Sequence, residues 1–170
     1  MKLATLALLS SLLFTAPALP APTPADPAAP IRKFIDAFNS GDTKTGLTFY
    51  AKGDITLVDE FAPHIWSGPQ AVQNWAADYD KHATATGVTE GKVTYGKTTR
   101  TEITGDLAYV VIPTVYLYKE KGKPLQEEGQ ITAVLHLEQN TWKIRSWTWA
   151  GVKPHPTPGF ESASEKTSSQ

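Results

Sequence analysis

Residues 31–72 read IRKFIDAFNSGDTKTGLTFYAKGDITLVDEFAPHIWSGPQAV. Apolar residues recur at helical spacing in the first part of this stretch: Ile31, Phe34, Ile35 and Phe38. Gly41 is suited to end this helix, and Asp42 to cap a second one. A strand over 54–59 follows, and Pro69 marks the start of a third helix. The stretch therefore predicts the order helix, helix, strand, loop and helix.

The chain changes from helical to strand patterning at Val88, where Val, Ile, Thr, Tyr and Trp become frequent. Four strands are predicted, at 88–103, 107–118, 125–138 and 141–152, with short polar turns between them. The three helices are predicted at 27–40 behind an Asp26 cap, at 43–50 and at 69–82. Three helices before a run of hairpins predict an α+β fold, with the helices on one side of a sheet.

This order of elements resembles the nuclear transport factor 2-like superfamily, which includes SnoaL-like polyketide cyclases and ketosteroid isomerases. The resemblance covers residues 31–152. It implies a cone-shaped, strongly curved antiparallel or mixed β-sheet with three N-terminal helices packed on its concave side, a cystatin-like α+β roll. It also implies a pocket between helices and sheet, and a homodimer formed through the sheet.

The two ends of the chain differ in composition from its middle. Residues 1–18 are a predicted signal peptide, with one lysine, an apolar run and a small-residue cleavage pattern. The apolar run is shorter than the roughly 20 residues that span a bilayer as a helix. We expect residues 19–30 to be a Pro/Ala-rich linker, 31–152 the folded domain and 153–170 a disordered tail. The protein is therefore expected to be secreted or periplasmic, with no membrane contact after cleavage of the signal peptide.

The charge balance and the cysteine content exclude several classes of function. The sequence has no cysteine and a formal net charge of -1, so it forms no disulfide and gives no reason to expect a nucleic-acid partner. The four histidines are widely separated: His64, His82, His136 and His155. A metal site needs three or four converging ligands, so we expect neither a metal nor another cofactor.

Asp59 is the candidate catalytic residue. In ketosteroid isomerases the proton-shuttling carboxylate lies at the end of the first strand, before a pair such as Ser67-Gly68, and Asp59 occupies that place. A carboxylate in an apolar pocket has a raised pKa and can act as a general base. By the same resemblance, Phe34 and Ala133 occupy the positions of the two oxyanion donors. Neither has a donor group, so steroid isomerase activity is not expected.

The candidate pocket residues come from the helices, the following loop and the sheet. They are Phe34, Phe38, Tyr50, Asp59, His64, Trp66, Trp75, Tyr79 and Ala133. Trp147 and Trp149 point to the same sheet face because side chains alternate along a strand. If that face were exposed, the pair would indicate self-association. The sequence does not tell which face carries them.

Three functions remain open from the sequence. The first is binding of a small hydrophobic molecule in the apolar pocket, by a protein that forms a homodimer. The second is a cofactor-independent isomerase, cyclase or dehydratase with Asp59 as general base. The third is a pure protein-interaction module whose pocket is filled by its own side chains. An open cavity favours the first two functions and a closed core favours the third.

Overall fold

The computed structural model of the protein describes residues 25–158. The helices are α1 (Ala29–Ser40), α2 (Thr43–Leu47) and α3 (Ala71–Thr86). The strands are β1 (Ile55–Val58), β2 (Ile65–Gly68), β3 (Val88–Tyr95), β4 (Arg100–Thr104), β5 (Leu107–Glu120), β6 (Lys123–Glu138), β7 (Thr141–Gly151) and β8 (His155–Pro156). No helix within residues 25–158 is long and apolar enough to cross a membrane.

The strands form one curved, open sheet in the order β2-β1-β7-β6-β5-β3. β4 also pairs with β5, and β8 with β6. Of the strand pairs, β1 with β7 is parallel and the others are antiparallel, so the sheet is mixed. The predicted α+β fold is confirmed, with three helices and a curved sheet.

The ends of the helices follow their capping residues. Gly41 ends α1 with a φ of 70°, a left-handed conformation that glycine adopts without strain. The Asp42 carboxylate caps α2 by accepting a hydrogen bond of 3.0 Å from the Thr45 N–H. α2 ends at Leu47 and is shorter than predicted. α3 runs four residues beyond its predicted end, because the first left-handed stop is Gly87, with a φ of 79°.

The predicted strand 88–103 is two strands in the structure, and Pro113 on β5 explains the break. Pro113 has no N–H, and its carbonyl accepts from the Gly96 N–H on the β3–β4 side. In an antiparallel pair, the N–H and C=O of one residue point to the same neighbour, so β5 lacks a donor at this point. β3 and β4 therefore pair with separate halves of β5.

The chain packs against the domain beyond both predicted domain limits. Ala28 is fully buried and α1 begins at Ala29, inside the range 19–30 predicted as linker. The Asp26 carboxylate accepts from the Ala28 N–H at 2.9 Å, so it stabilises the turn before the helix and is not the N-cap. At the other end, β8 pairs with β6 inside the predicted tail. The predicted signal peptide, most of the linker and the rest of the tail lie outside the described residues.

The core lies between α1, α3 and the concave face of the sheet. Its most deeply buried large side chains are Ile31, Ile35, Leu57, Ile112, Leu135, Ile144 and Val110. Trp147 and Trp149 pack against this core. Their indoles therefore lie on the concave face, so the pair gives no support for self-association through an exposed face.

Candidate functional site

A cavity of about 320 Å³ lies between α1, α3 and the concave face of the sheet. Apolar and aromatic side chains form most of its wall, and carboxylates provide most of the charged groups on it. Phe34 and Phe38 come from α1, Trp75 from α3 and Trp147 from β7. The rings of Phe34, Trp75 and Trp147 contact one another, with centroids 5.4 to 5.9 Å apart.

Asp59 lies on this wall directly after β1. Its Oδ2 accepts a hydrogen bond of 2.8 Å from the Trp75 indole N–H, and its Oδ1 accepts one of 2.8 Å from the Glu60 backbone N–H. Burial raises the pKa of Asp59, while the hydrogen bond from Trp75 opposes that rise. Asp59 is therefore a carboxylate with a raised pKa on the cavity wall, and its catalytic role stays a prediction.

Glu127 is a second carboxylate on the wall, and the sequence analysis missed it. It lies on β6 and is 2% exposed. The Tyr118 hydroxyl donates to its Oε1 at 2.6 Å. Among residues 25–158, no N–H group and no hydroxyl donates to its Oε2. Its charged surroundings, Gln126-Glu127-Glu128, suggest a solvated strand. However, strand alternation places Glu127 on the same face as Ile131, and this signal could have identified it.

Glu60 lies at the rim of the same cavity, partly exposed to solvent and partly buried against the wall. Its carboxyl is within hydrogen-bonding reach of the Glu127 carboxyl. Burial and then the neighbouring Glu127 raise the pKa of Glu60 to about 8. Two carboxyls this close share a proton more easily than they both ionise. The pair is therefore a site that holds a proton near neutral pH.

Two tyrosine hydroxyls meet on the wall, another feature that the sequence did not reveal. Tyr79 of α3 and Tyr116 of β5 lie 2.7 Å apart at their hydroxyl oxygens. Gly91 makes room for them, because a Cβ at this position would lie 2.8 Å from the Tyr116 hydroxyl and 2.9 Å from the Tyr79 hydroxyl. One hydroxyl proton forms the bond between the two, so the other can be donated to a bound molecule.

Trp149 covers the end of the cavity wall over two glycines. A Cβ at Gly129 would lie 2.8 Å from the Trp149 ring, and a Cβ at Gly151 would overlap it. The indole N–H of Trp149 donates to the Thr114 hydroxyl at 3.1 Å. The absence of side chains at the two glycines therefore lets the ring lie flat, and Thr114 fixes its orientation.

Five of the nine predicted pocket residues line the cavity: Phe34, Phe38, Asp59, Trp75 and Tyr79. The other four lie elsewhere. The Tyr50 hydroxyl accepts from the Trp147 indole at 2.8 Å, behind the wall. His64 is exposed, and Trp66 packs against Phe61 while its indole donates to Asp78 at 3.0 Å. Ala133 is buried in the sheet beside Trp147 and does not reach the cavity.

His82 is the one histidine on the cavity wall among the described residues. Its ring stacks on Phe61 with centroids 5.2 Å apart. No group of three or more His, Asp or Glu residues in positions 25–158 is arranged to hold a metal ion. Phe34 and Ala133 supply no side-chain hydrogen-bond donor, whereas the Tyr79 and Tyr116 hydroxyls on the wall do.

No protein-family model and no curated protein matches the sequence. Solved structures match at low identity. A type 2 hexachlorocyclohexane dehydrochlorinase, LinA, has a TM-score of 0.64 and 13% identity, and the match covers 79% of this chain and 91% of that one. A ketosteroid isomerase-like protein from Erwinia carotovora atroseptica has a TM-score of 0.56 and 18% identity, over 74% and 93%. A protein of the NTF2-like family from Streptomyces avermitilis has a TM-score of 0.58 and 18% identity, over 74% and 93%.

Proposed function

Since the chain has the nuclear transport factor 2-like fold, we propose that it binds one small hydrophobic molecule in the cavity between its helices and its sheet. The observation that carries this proposal is the open, mostly apolar cavity of about 320 Å³. Ligand sites are typically concave, mostly apolar and about 300–1,000 Å³ in volume. A few polar groups on the wall, Asp59 and the Tyr79–Tyr116 pair among them, would orient the molecule.

The cavity also distinguishes this proposal from a pure protein-interaction module. An interaction module would fill the space between helices and sheet with its own side chains, because an empty apolar cavity destabilises the folded state. A cavity of this size therefore lowers the stability of the fold, and ligand binding explains why the protein retains it. Trp75, Trp147 and Trp149 line the space and so provide a built-in fluorescence signal for an occupant.

The proposal is tested by native mass spectrometry and by blocking the cavity. We expect protein purified from its own source to carry a retained small molecule, and the folded protein to show tryptophan fluorescence changes with hydrophobic ligands. Val93 lines the cavity and Val134 lies on the outer face of the sheet. Val93→Trp should abolish binding, whereas Val134→Trp should not. Equal binding by the two variants, both shown to be folded by circular dichroism, would contradict the cavity as the site.

A second candidate is a cofactor-independent isomerase, cyclase or dehydratase, and the position of Asp59 favours it. Burial raises the pKa of Asp59, which suits a general base near neutral pH. The free proton of the Tyr79–Tyr116 pair could be donated to the oxygen on which charge develops. In this mechanism Asp59 takes a proton from the carbon next to a carbonyl group, and the resulting enolate oxygen accepts the tyrosine hydrogen bond.

Deuterium exchange separates the enzyme from the binding protein. A base in the cavity should catalyse exchange of the proton next to the carbonyl of a bound aromatic ketone in heavy water, as followed by NMR. Asp59→Asn should abolish the exchange while leaving binding within about a few fold, because the amide keeps the shape and one acceptor. Exchange at the same rate in both proteins would exclude Asp59 as the base.

We further propose that the protein is exported and forms a homodimer through the outer face of its sheet. The predicted signal peptide supports export, and half-buried apolar side chains on the outer face of β5, Val115 and Leu117, support the dimer. Cell fractionation with N-terminal sequencing of the mature chain tests export. Light scattering during size-exclusion chromatography tests the dimer, and a monomer at micromolar concentration would contradict it.

A further inference from the structure

We propose that the molecule bound in the cavity carries a positively charged amino group, and that Glu127 and Glu60 bind this group. The inference rests on the proposed function, because it names the chemical class of the molecule for the same cavity. It is supported by the charge of the wall and by the buried Glu127 oxygen, which has a donor only when Glu60 carries a proton.

The wall carries several acidic groups and almost no basic ones. Its carboxylates are Asp59, Glu60, Glu120 and Glu127. Within residues 25–158, no lysine or arginine lines the cavity, and His82 is the one imidazole on its wall. Carboxylates in apolar surroundings repel one another and also repel an anionic ligand. The wall therefore disfavours a bound carboxylate or phosphate and favours a cation.

Glu127 provides the specific contact. It is 2% exposed, which is rare for a glutamate without a cationic partner. Its Oε1 accepts from Tyr118, so Oε2 is the oxygen that still needs a donor. The neighbouring Glu60 can donate only when it carries a proton. An ammonium group supplies donors and the opposite charge together, and so satisfies this oxygen more strongly than a neutral hydroxyl.

Aromatic rings complete the surroundings of a cation. Tyr116 and Tyr118 both line the cavity and stack on each other with centroids 4.6 Å apart. Ring faces attract a cation that lies within about 6 Å of their centroids. Phe34, Trp75 and Trp147 form the apolar part of the wall, which fits a hydrocarbon or aromatic body. The expected ligand is therefore an amine with a hydrophobic body, and not a polyamine.

Binding of the amine should release a proton. In the empty cavity, the proton on Glu60 bridges to Glu127; when the ammonium group binds, this proton leaves to solvent and both carboxylates face the cation. The raised pKa of Glu60, about 8, means that the pair still holds the proton at neutral pH. Other titratable groups also line the cavity near the pair: Asp59 after β1, His82 on α3, and Tyr116, Tyr118 and Glu120 on β5. His155 on β8 contacts Glu128 at the surface, and Glu127 acts on it only through its charge. Affinity should therefore rise with pH up to about 8 and then level off.

The test uses matched ligands that differ only in their polar group. Phenethylamine, naphthylethylamine and anthracenylethylamine are each compared with the alcohol and the carboxylic acid of the same carbon skeleton. Isothermal titration calorimetry at pH 7 measures affinity, and repetition in buffers of different ionisation enthalpy measures the protons released. We expect at least one amine to bind about tenfold or more tightly than its alcohol, to exceed its acid further, and to release up to one proton.

Glu127→Gln is the informative variant and Glu128→Gln is its matched control. Glu128 is the next residue on β6, but it is exposed on the outer face. Glu127→Gln should abolish the preference for the amine and the proton release, whereas binding of the alcohol should persist. Glu128→Gln should behave like the unmodified protein. If Glu127→Gln does not fold, the ligand comparison and the proton count on the unmodified protein still decide the inference.

The outcomes separate this inference from the proposed function. If the amine and its alcohol bind equally, or if the acid binds best, the cavity remains a binding site but the amine inference is wrong. Binding of the amine without proton release would overturn the role of the Glu60–Glu127 pair. If none of these ligands binds, and protein purified from its own source carries no retained small molecule, both the inference and the proposed function are wrong.

Discussion

Replacing Glu127 by Gln should stabilise the ligand-free protein at alkaline pH. At that pH Glu60 is ionised, so Oε2 of Glu127 is a buried acceptor without a donor. An unsatisfied buried polar group costs about 1–3 kcal/mol, and more when it is charged. The glutamine amide removes the charge and can donate to Glu60, while its oxygen still accepts from Tyr118. We therefore expect a gain of about 1–3 kcal/mol at pH 9.

This gain should depend on pH, which provides an internal check. The pKa of Glu60 is raised to about 8, so at pH 5 Glu60 carries a proton that it can donate to Glu127. The wild-type interaction is then satisfied, and the glutamine should bring little benefit. In thermal denaturation, each kcal/mol shifts the melting temperature of a domain of this size by about 2–4 °C. The expected increase at pH 9 is therefore about 2–12 °C, falling towards zero at pH 5.

Glu128→Gln serves as control in the same experiment, because Glu128 contacts His155 at the surface and should change stability little at either pH. If Glu127→Gln lowers the free energy of unfolding at pH 9, Glu127 has a favourable charged interaction and is not an orphaned carboxylate. An equal gain at pH 5 and pH 9 would refute the proton shared with Glu60.

Three further predictions concern the other groups of the cavity. Asp59→Asn should flatten the fall in stability that accompanies ionisation of Asp59 as the pH rises through its raised folded-state pKa, as followed by urea denaturation at several pH values; an unchanged fall would contradict this. Glu60→Gln should flatten the decline in stability between pH about 4.5 and about 8, since the folded-state pKa lies above the unfolded one; an unchanged decline would assign it to another group. Gly151→Ala should displace the Trp149 ring, shift the tryptophan fluorescence emission and lower the free energy of unfolding by about 1–3 kcal/mol. An unchanged emission spectrum would disprove the contact.

The fold was predictable because the apolar residues follow helical spacing before Val88 and strand patterning after it, and because short polar turns separate the predicted strands. The break in the first long strand was predictable in principle, since Pro113 stands in the middle of the partner strand and cannot donate to the ladder. The length of α3 was underestimated because the helix continues to Thr86, four residues beyond the predicted end, and stops only at Gly87. The strand break and the helix end are local features, so single residues such as Pro113 and Gly87 indicate them.

The site was less predictable because it depends on contacts between distant segments. Asp59 was placed through the resemblance, and it lies on the cavity wall. Tyr50 and Trp66 are aromatic residues next to the cavity, but sequence cannot tell a ring on the wall from one behind it. Glu127 was missed because its charge suggested solvent, although its register with Ile131 pointed inward. Which polar residue lies inside a cavity is thus decided by strand register more than by residue type.

The packing of the Trp149 ring against Gly129 and Gly151 has an evolutionary consequence. A tryptophan at position 149 can persist only while both glycines remain, because any side chain there would meet the ring. Relatives with a small residue at 149 would be free to carry a larger residue at 151, and their cavities would differ in shape at this end, whereas a Cβ at 129 would still lie 2.8 Å from the Ala150 carbonyl oxygen. Positions 149 and 151 are therefore expected to vary together when related sequences are aligned, and their combinations would mark lineages that differ in ligand size.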